Sequence, residues 1–126
     1  MVRINANGMV DSFIGGSTRT SGITVEAGEP LHLVMTFDRT GLSAENEGEG
    51  TLTFYVNGVK GNELSMSGSS GVESSVGDYV IGIQKGLNGQ YFNGVIDEVV
   101  FYDKALSEER VVEHYESIDE LSLIHI

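Results

Sequence analysis

The chemistry open to this chain rests on carboxylates, three histidines and polar side chains near aromatic rings, because the sequence contains no cysteine. His32, His114 and His125 share no metal-ligand spacing, so we interpret them as surface or packing residues. Asp97 and Glu98 are adjacent acids in an apolar run, but neighbours in a strand point to opposite faces and cannot act on one sugar ring. The sequence therefore predicts a protein that is not an enzyme.

Carboxylates at predicted strand ends are candidate ligands for Ca²⁺, which prefers oxygen. Nineteen Asp+Glu against seven Lys+Arg give a formal charge of −12, which disfavours nucleic acid and anionic membrane surfaces. The predicted metal ligands are Asp38, Asp78 and Asp103. No Asp-x-Asp-x-Asp-Gly loop occurs, so the ligands have to come from distant segments, and a solvated acidic surface remains the alternative.

A glycine-bearing loop at residues 85–90 leads into two aromatic residues, Tyr91 and Phe92. Sugar sites combine an aromatic ring with planar polar side chains. The predicted ligand-binding residues are Gln84, Asn88, Gln90 and Tyr91. We interpret Phe92 as ordinary packing and Tyr55, on the outer side of its strand, as surface filling. Tryptophan, the best platform for a sugar ring, is absent.

Short strands separated by glycine-rich turns must position these side chains. Apolar residues alternate along residues 31–38 and 51–57, and the Asn57-Gly58 pair predicts a tight hairpin into the next strand. The predicted strands are 2–5, 9–14, 23–26, 31–38, 51–57, 59–64, 79–84 and 95–102. Residues 39–50 and 66–77 are predicted loops, which gives seven or eight strands at sandwich spacing.

One helix is predicted at residues 107–117, where Ser107 can cap the helix and Glu108 and Glu109 lie in its positive first turn. Val111, Tyr115 and Ile118 form its apolar stripe. The residues that follow, 121–126, are either one more strand or a tail, and we mark 119–126 as the candidate tail of a single domain over residues 1–126.

Four segments, in order, resemble laminin G-like jelly-roll domains of the concanavalin A-like kind. Residues 92–107, FNGVIDEVVFYDKALS, are similar to the closing signature of that family, and the other matches are LHLVMTFD at 31–38, FYVNG at 54–58 and YVIG at 79–82. The resemblance implies an all-β antiparallel sandwich with one short C-terminal helix. Leu31 replaces the family's tryptophan, and the usual first strands are not found, so the chain is either a fragment or a shortened variant. A fragment would expose sheet edges and favour homo-oligomers.

The resemblance implies either a ligand-binding module or a glycoside hydrolase. Sandwich glucanases carry Glu-x-Asp-x-x-Glu on one strand, and that motif is absent. The first hypothesis is a binding or adhesion module for a glycan or an extracellular protein, assisted by Ca²⁺. A structural accessory domain of a larger surface protein is the second, and a truncated glycosidase is the weakest. The family implies an extracellular or cell-surface location, although the chain shows neither a signal peptide nor an apolar run of membrane length.

Asp97 and Glu98 also have an architectural interpretation, which we prefer to metal ligation. Charges within an apolar strand are costly unless they are paired or hydrogen-bonded. We therefore expect Asp97 to accept hydrogen bonds from backbone N–H groups. Glu98 is expected to pair with a base such as Arg110 or Lys104.

Overall fold

The computed structural model describes residues 1–42, 45, 48–67, 80–83 and 91–124, with side chains up to residue 118 in the helix. It contains two antiparallel three-stranded sheets, ordered β1-β2-β3 and β4-β5-β6, and one helix. The elements are β1 (Val2–Ile4), β2 (Met9–Ile14), β3 (Ser17–Thr24), β4 (Leu33–Asp38), β5 (Gly50–Val56), β6 (Val59–Met66) and α1 (Glu108–Ile124). The predicted all-β sandwich with a short C-terminal helix is confirmed.

The core lies between the two sheets and is centred on β5. Leu52, Phe54 and Val56 alternate along that strand and are buried with Val10 of β2 and Met66 of β6. Burying one such side chain stabilises the fold by roughly 1.5–3 kcal/mol. The period of two therefore assigns the even-numbered residues of β5 to the core and turns the odd-numbered ones to the outer face.

The turn between β5 and β6 has the predicted conformation. Asn57 and Gly58 both have positive φ, 51° and 76°, as a two-residue hairpin turn of the favoured hand requires. The turn is also tied to the start of β4. The backbone N–H of His32 donates to Asn57 Oδ1 at 2.8 Å, and the Asn57 N–H donates to the His32 carbonyl at 2.8 Å.

An irregularity in the second sheet brings β6 against β3. The register of β5 and β6 shifts between Thr53 and Tyr55, so β6 contains one extra residue opposite Phe54. At this bulge a Cβ on Gly61 would lie 2.5 Å from the carbonyl oxygen of Ser21 in β3. Asn62 Nδ2 donates to the Thr20 carbonyl at 3.0 Å. The absence of a side chain at position 61 thus allows the two sheets to touch.

The first sheet carries a polar cluster on its outer face. Asp11 is only 2% exposed, and its carboxylate accepts hydrogen bonds from Arg3 Nε at 2.7 Å and from Asn5 Nδ2 at 3.0 Å. Burial alone would raise the pKa of Asp11, but these two hydrogen bonds and the charge of Arg3 outweigh burial and lower it. The cluster therefore joins β1, β2 and the loop between them.

Helix α1 begins as the sequence predicts. Ser107 Oγ accepts a hydrogen bond from the Arg110 N–H at 3.2 Å, and Glu108 and Glu109 occupy the first turn. Val111 is fully buried, and Tyr115 covers the β5–β6 turn so closely that a Cβ on Gly58 would lie 2.9 Å from its ring. No helix in the described ranges is long and apolar enough to cross a membrane.

The two strands predicted in the second half of the chain require correction. Residues 95–102 form no strand, because Glu98 has a φ of 51°, which interrupts an extended run, and no described strand pairs with the segment. The 79–84 prediction falls partly outside the described residues. Within it, 80–83 form no strand, Gly82 has a φ of 83°, and Ile83 makes an isolated bridge to Tyr91. The described residues contain six strands rather than seven or eight.

Most strand boundaries differ from the predictions by one or two residues, and β3 and the helix differ by more. Of the strand expected at 23–26, only residues 23 and 24 belong to a strand, as the end of β3. β3 begins at Ser17 because its polar residues pair through the backbone with β2. Helix α1 continues to Ile124, so a strand at 121–124 is wrong, and the assignment of 119–126 as a tail stays a prediction. The described residues of the loop predicted at 39–50 lie outside strands, except Gly50, which begins β5. Of the loop predicted at 66–77, Met66 belongs to β6 and residues 68–77 lie outside the described residues.

Candidate binding groove

The outer face of the second sheet and the segment 105–108 enclose a groove of about 430 Å³, which we call the outer groove. Its lining combines hydroxyls, one aromatic ring, acids and one lysine. The lining residues are Thr36, Asp38, Thr51, Thr53, Tyr55, Lys60, Glu63, Ala105, Leu106, Ser107 and Glu108. The odd-numbered residues of β5 occupy its centre because their even-numbered neighbours are in the core.

Strand register sets the order of the side chains across the groove. Thr53 lies opposite Thr36 of β4 and Glu63 of β6, which forms one row across the three strands. A second row joins Asp38, Thr51 and Ser65. Thr36 is 8% exposed and Thr53 is 5% exposed, so these hydroxyls lie at the bottom of the groove.

Tyr55 lies in the groove at 5% exposure, which corrects its interpretation as a surface residue. Burial raises the pKa of its hydroxyl, with Glu108 and Glu63 acting in the same direction and Lys60 opposing them. The hydroxyl therefore remains protonated at neutral pH and can both donate and accept a hydrogen bond.

Lys60 and Glu63 form an ion pair at the β6 side of the groove, with 2.6 Å between Nζ and Oε2. In a regular strand, residues three apart point to opposite faces. The bulge at Gly61 and Asn62 adds one residue and brings both charges to the same face, opposite Tyr55 and Thr53. Glu63 raises the pKa of Lys60, so the lysine keeps its charge at neutral pH.

Asp38, at the end of β4, belongs both to the outer groove and to a smaller groove of about 260 Å³ beside it. Its Oδ1 accepts hydrogen bonds from the Thr40 N–H at 2.8 Å and the Thr40 hydroxyl at 2.6 Å. These bonds lower the pKa of Asp38 despite a small opposing effect of desolvation. The smaller groove also presents Glu49, Thr51 and Ser65.

The structure describes three of the seven predicted site residues, Asp38, Tyr91 and Asp103. Asp38 lines the outer groove, while Asp103 is exposed on the segment before α1. Tyr91 is 67% exposed and bridges to Ile83. The remaining four, Asp78, Gln84, Asn88 and Gln90, lie outside the described residues. Among the residues that the structure describes, no three acidic or histidine side chains converge on a point that would hold a metal ion.

Asp97 and Glu98 lie on the surface. Asp97 Oδ1 accepts a hydrogen bond from the Glu98 N–H at 2.8 Å, as expected for an acceptor of backbone N–H groups. The expected ion pair of Glu98 is wrong, since within the described residues Glu98 pairs with neither Arg110 nor Lys104. Arg110 Nη1 instead binds Glu113 Oε2 at 2.9 Å. Both acids are exposed, so water solvates their charges and no buried partner is required.

Several groove residues were missed by sequence reasoning, notably Thr36, Lys60 and Glu63. The outward direction of Thr53 follows from the alternation of β5. The residues that face it depend on strand register and on the β6 bulge. The glycine at position 61 was the available signal, because a glycine inside a strand often marks a bulge or a close approach.

The segment 91–102 exposes a row of large apolar side chains to solvent. Val95 is 91% exposed, Phe101 68%, Val100 60% and Tyr102 51%. Phe92 is 46% exposed, so its interpretation as ordinary packing is wrong. Large apolar side chains exposed in this number often mark a protein contact.

The antiparallel sandwich with a polar groove on one sheet fits a binding or accessory module. The family description of the concanavalin A-like lectin/glucanases superfamily, in its laminin G-like form, matches residues 2–112. The chain therefore belongs to this superfamily as a laminin G-like domain, and the resemblance seen in the sequence is confirmed.

The comparison with solved structures agrees on the fold. A crystal structure of an S-layer domain-containing protein from Clostridium thermocellum ATCC 27405 is similar, with a TM-score of 0.53 and 22% sequence identity. The match covers 79% of this chain and 45% of that chain, so our chain spans less than half of the protein it matches. No curated protein shows significant similarity to the chain.

Proposed function

We propose that this domain is a non-catalytic module that binds a glycan in the outer groove. The observation that carries the proposal is a groove of about 430 Å³ with buried hydroxyls around a tyrosine. Ligand sites typically have volumes of about 300–1,000 Å³, with a few convergent polar groups. A short oligosaccharide presents hydroxyls in rows, which matches the rows of polar side chains across the three strands.

The lining supplies both kinds of hydrogen-bonding group. Thr36, Thr53 and Tyr55 can each donate and accept, Lys60 donates, and Glu63 accepts. Sugar hydroxyls have the same dual character, so each can replace a water molecule without leaving a buried group unsatisfied. Leu106, on the opposite wall, supplies apolar contact for the ring carbons.

Ca²⁺ assistance is part of the proposal, with Asp38 as the first candidate ligand. Its lowered pKa keeps the carboxylate ionised at neutral pH. Both hydrogen bonds from Thr40 go to Oδ1, so Oδ2 is the oxygen that we propose as a ligand for the cation. Asp78 and Asp103 are the other predicted ligands. Because Asp38 lies in the groove, a bound ion would stand beside the sugar.

Two facts support a module without catalysis. Glycoside hydrolysis needs one carboxyl group with a raised pKa as the general acid. Hydrogen bonding lowers the pKa of Asp38, and Glu63 is held in an ion pair by Lys60. The sequence also lacks the paired-carboxylate motif of sandwich glucanases.

A glycan array followed by calorimetry, with and without Ca²⁺, tests this proposal. Thr53→Val removes one hydroxyl from the groove at nearly constant shape, and we expect it to weaken binding about 5–10-fold, the worth of one hydrogen bond. Thr18→Val, on an exposed position of the first sheet, is the matched control and should bind normally. Uniformly flat responses, or equal affinity in Thr53→Val, would contradict the proposal.

A second candidate is a structural accessory module of a larger surface protein, favoured by the exposed apolar row at 91–102. In this case the row contacts protein, either another part of the assembly or a second copy of the chain. An extracellular or cell-surface location fits both candidates. Light scattering after size exclusion at micromolar concentration separates them, because a monomer that binds glycans supports the first and a dimer without glycan binding supports the second.

A further inference from the structure

His32 lies where helix α1 contacts the second sheet, just before β4. Its ring centroid is 5.9 Å from that of Tyr115 on α1, and its backbone is fixed by two hydrogen bonds to Asn57. The Nδ1 atom is buried and has no hydrogen-bond partner. The neutral ring tolerates this environment, whereas a protonated ring would place an N–H donor and a charge there without an acceptor.

The groups around His32 do not offset a positive charge. From α1, the titratable groups that face it are His114 and Tyr115, and the turn beneath contributes only the uncharged Asn57. Lys60 on β6 interacts with Glu63 and with Glu108 in the first turn of α1, and all three interact with Tyr55. Within the described residues, His32 and His114 do not belong to a group of three acidic or histidine side chains that could hold a metal ion. Burial, reinforced by the charge of His114, therefore lowers the pKa of His32.

The position of α1 is coupled to the wall of the outer groove. Ser107 lines the groove and also caps the helix by accepting the Arg110 N–H. Leu106 and Glu108 line the same wall on either side. A helix that leaves the sheet must move this wall, because one continuous segment of backbone joins the two.

We propose that His32 is an acid-sensitive latch, whose protonation releases α1 from the second sheet and opens the wall of the outer groove. The release of α1 is inferred from the contact between His32 and the helix, independently of any ligand. Only its consequence for ligand binding rests on the proposed function of the groove. The affinity of the outer groove for its ligand therefore depends on pH.

The sign of the pH dependence follows from the linkage between protonation of His32 and docking of α1 on the second sheet. A base whose pKa is lower in the docked state contributes stability that is complete above its undocked pKa, about 6.5 for histidine, and that is lost as the pH falls towards the docked value. The docking equilibrium therefore weakens up to about tenfold for each unit by which docking lowers the pKa. Coulombic repulsion from His114 acts in the same direction as burial on the pKa of His32.

Amide hydrogen exchange of residues 108–118 tests the latch in the full chain, at about pH 7.5 and about pH 5, on either side of the histidine range. After correction for intrinsic exchange rates, we expect protection to fall at the lower pH in the wild type and to stay constant in His32→Gln. His114→Gln, the matched control, should retain the fall with a smaller amplitude. Equal protection at both pH values in the wild type, or an equal fall in His32→Gln, would overturn the latch.

A second measurement keeps the test decisive if His32→Gln does not fold. The ring signals of His32 in the wild type can be titrated by NMR, and a pKa at or above the ordinary histidine value would overturn the proposal. Glycan affinity at both pH values then forms a separate arm. If protection changes and no glycan binds at either pH, the latch stands and the proposed function fails.

Discussion

The contact between the sheets at Gly61 gives the sharpest test of the packing. Gly61→Ala places a Cβ 2.5 Å from the Ser21 carbonyl oxygen and 3.2 Å from Ile23 Cδ1. The first neighbour is backbone and cannot rotate away, so β3 and β6 have to separate. Overpacking of this kind costs about 1–3 kcal/mol, while the loss of glycine freedom in the unfolded chain returns about 0.4–1 kcal/mol. We expect a net loss of about 1–2 kcal/mol, which shifts a urea midpoint by about 1 M.

Urea unfolding followed by circular dichroism measures this loss, with Gly28→Ala as the control. Gly28 has a φ of 86°, and no atom lies within 4 Å of the position that an alanine Cβ would take, so that change reports backbone strain without a clash. Ile23→Val in the Gly61→Ala background removes the Cδ1 contact and should recover only a minor part of the loss. A Gly61→Ala protein as stable as the wild type, or full recovery by Ile23→Val, would refute the close backbone approach.

Three further predictions concern the core, the helix cap and the polar cluster. Leu52→Ala should cost about 2–5 kcal/mol because Leu52 is fully buried, whereas Val59→Ala, at a 61% exposed site, should stay within about 0.5 kcal/mol in the same urea assay. Ser107→Ala removes the acceptor of the Arg110 N–H and should cost about 1 kcal/mol, measured by thermal unfolding, and a cost near zero would contradict the cap. The lowered pKa of Asp11 means that its stabilisation is complete above the unfolded pKa and is lost as the pH falls through the lower folded value. Unfolding free energies measured across the acidic range should therefore decline, and the decline should be shallower in Asp11→Asn.

The sequence predicted those elements whose signals are local. The alternation of Leu52, Phe54 and Val56 defines β5, and the Asn57-Gly58 pair defines its hairpin. The helix start at Ser107 followed from cap chemistry within a few residues. Each of these features depends on contacts or conformations close in the chain, which a pattern of residue types can represent.

The predictions that the structure contradicts depend on pairing between segments that are distant in sequence. Residues 95–102 have the apolar content of a strand, but a strand also needs a neighbour whose backbone groups lie in register. β3 shows the converse, because its mostly polar residues form eight strand positions by pairing with β2. The predicted ligand-binding residues lie in and beside one loop, whereas the groove lies on a sheet face. Groove residues such as Thr36 and Glu63 are far apart in sequence and become neighbours only through strand pairing.

The bulge in β6 links the stability of the sandwich to the chemistry of the groove. Gly61 permits the approach of β3 to β6, and the extra residue also turns Glu63 to the same face as Lys60. A regular β6 would send one of these charges towards the core, where its desolvation would be costly. The ion pair in the groove therefore exists only in the geometry that closes the sandwich. Under the proposed function, a change at position 61 should therefore alter glycan affinity as well as unfolding free energy, although Gly61 does not line the groove.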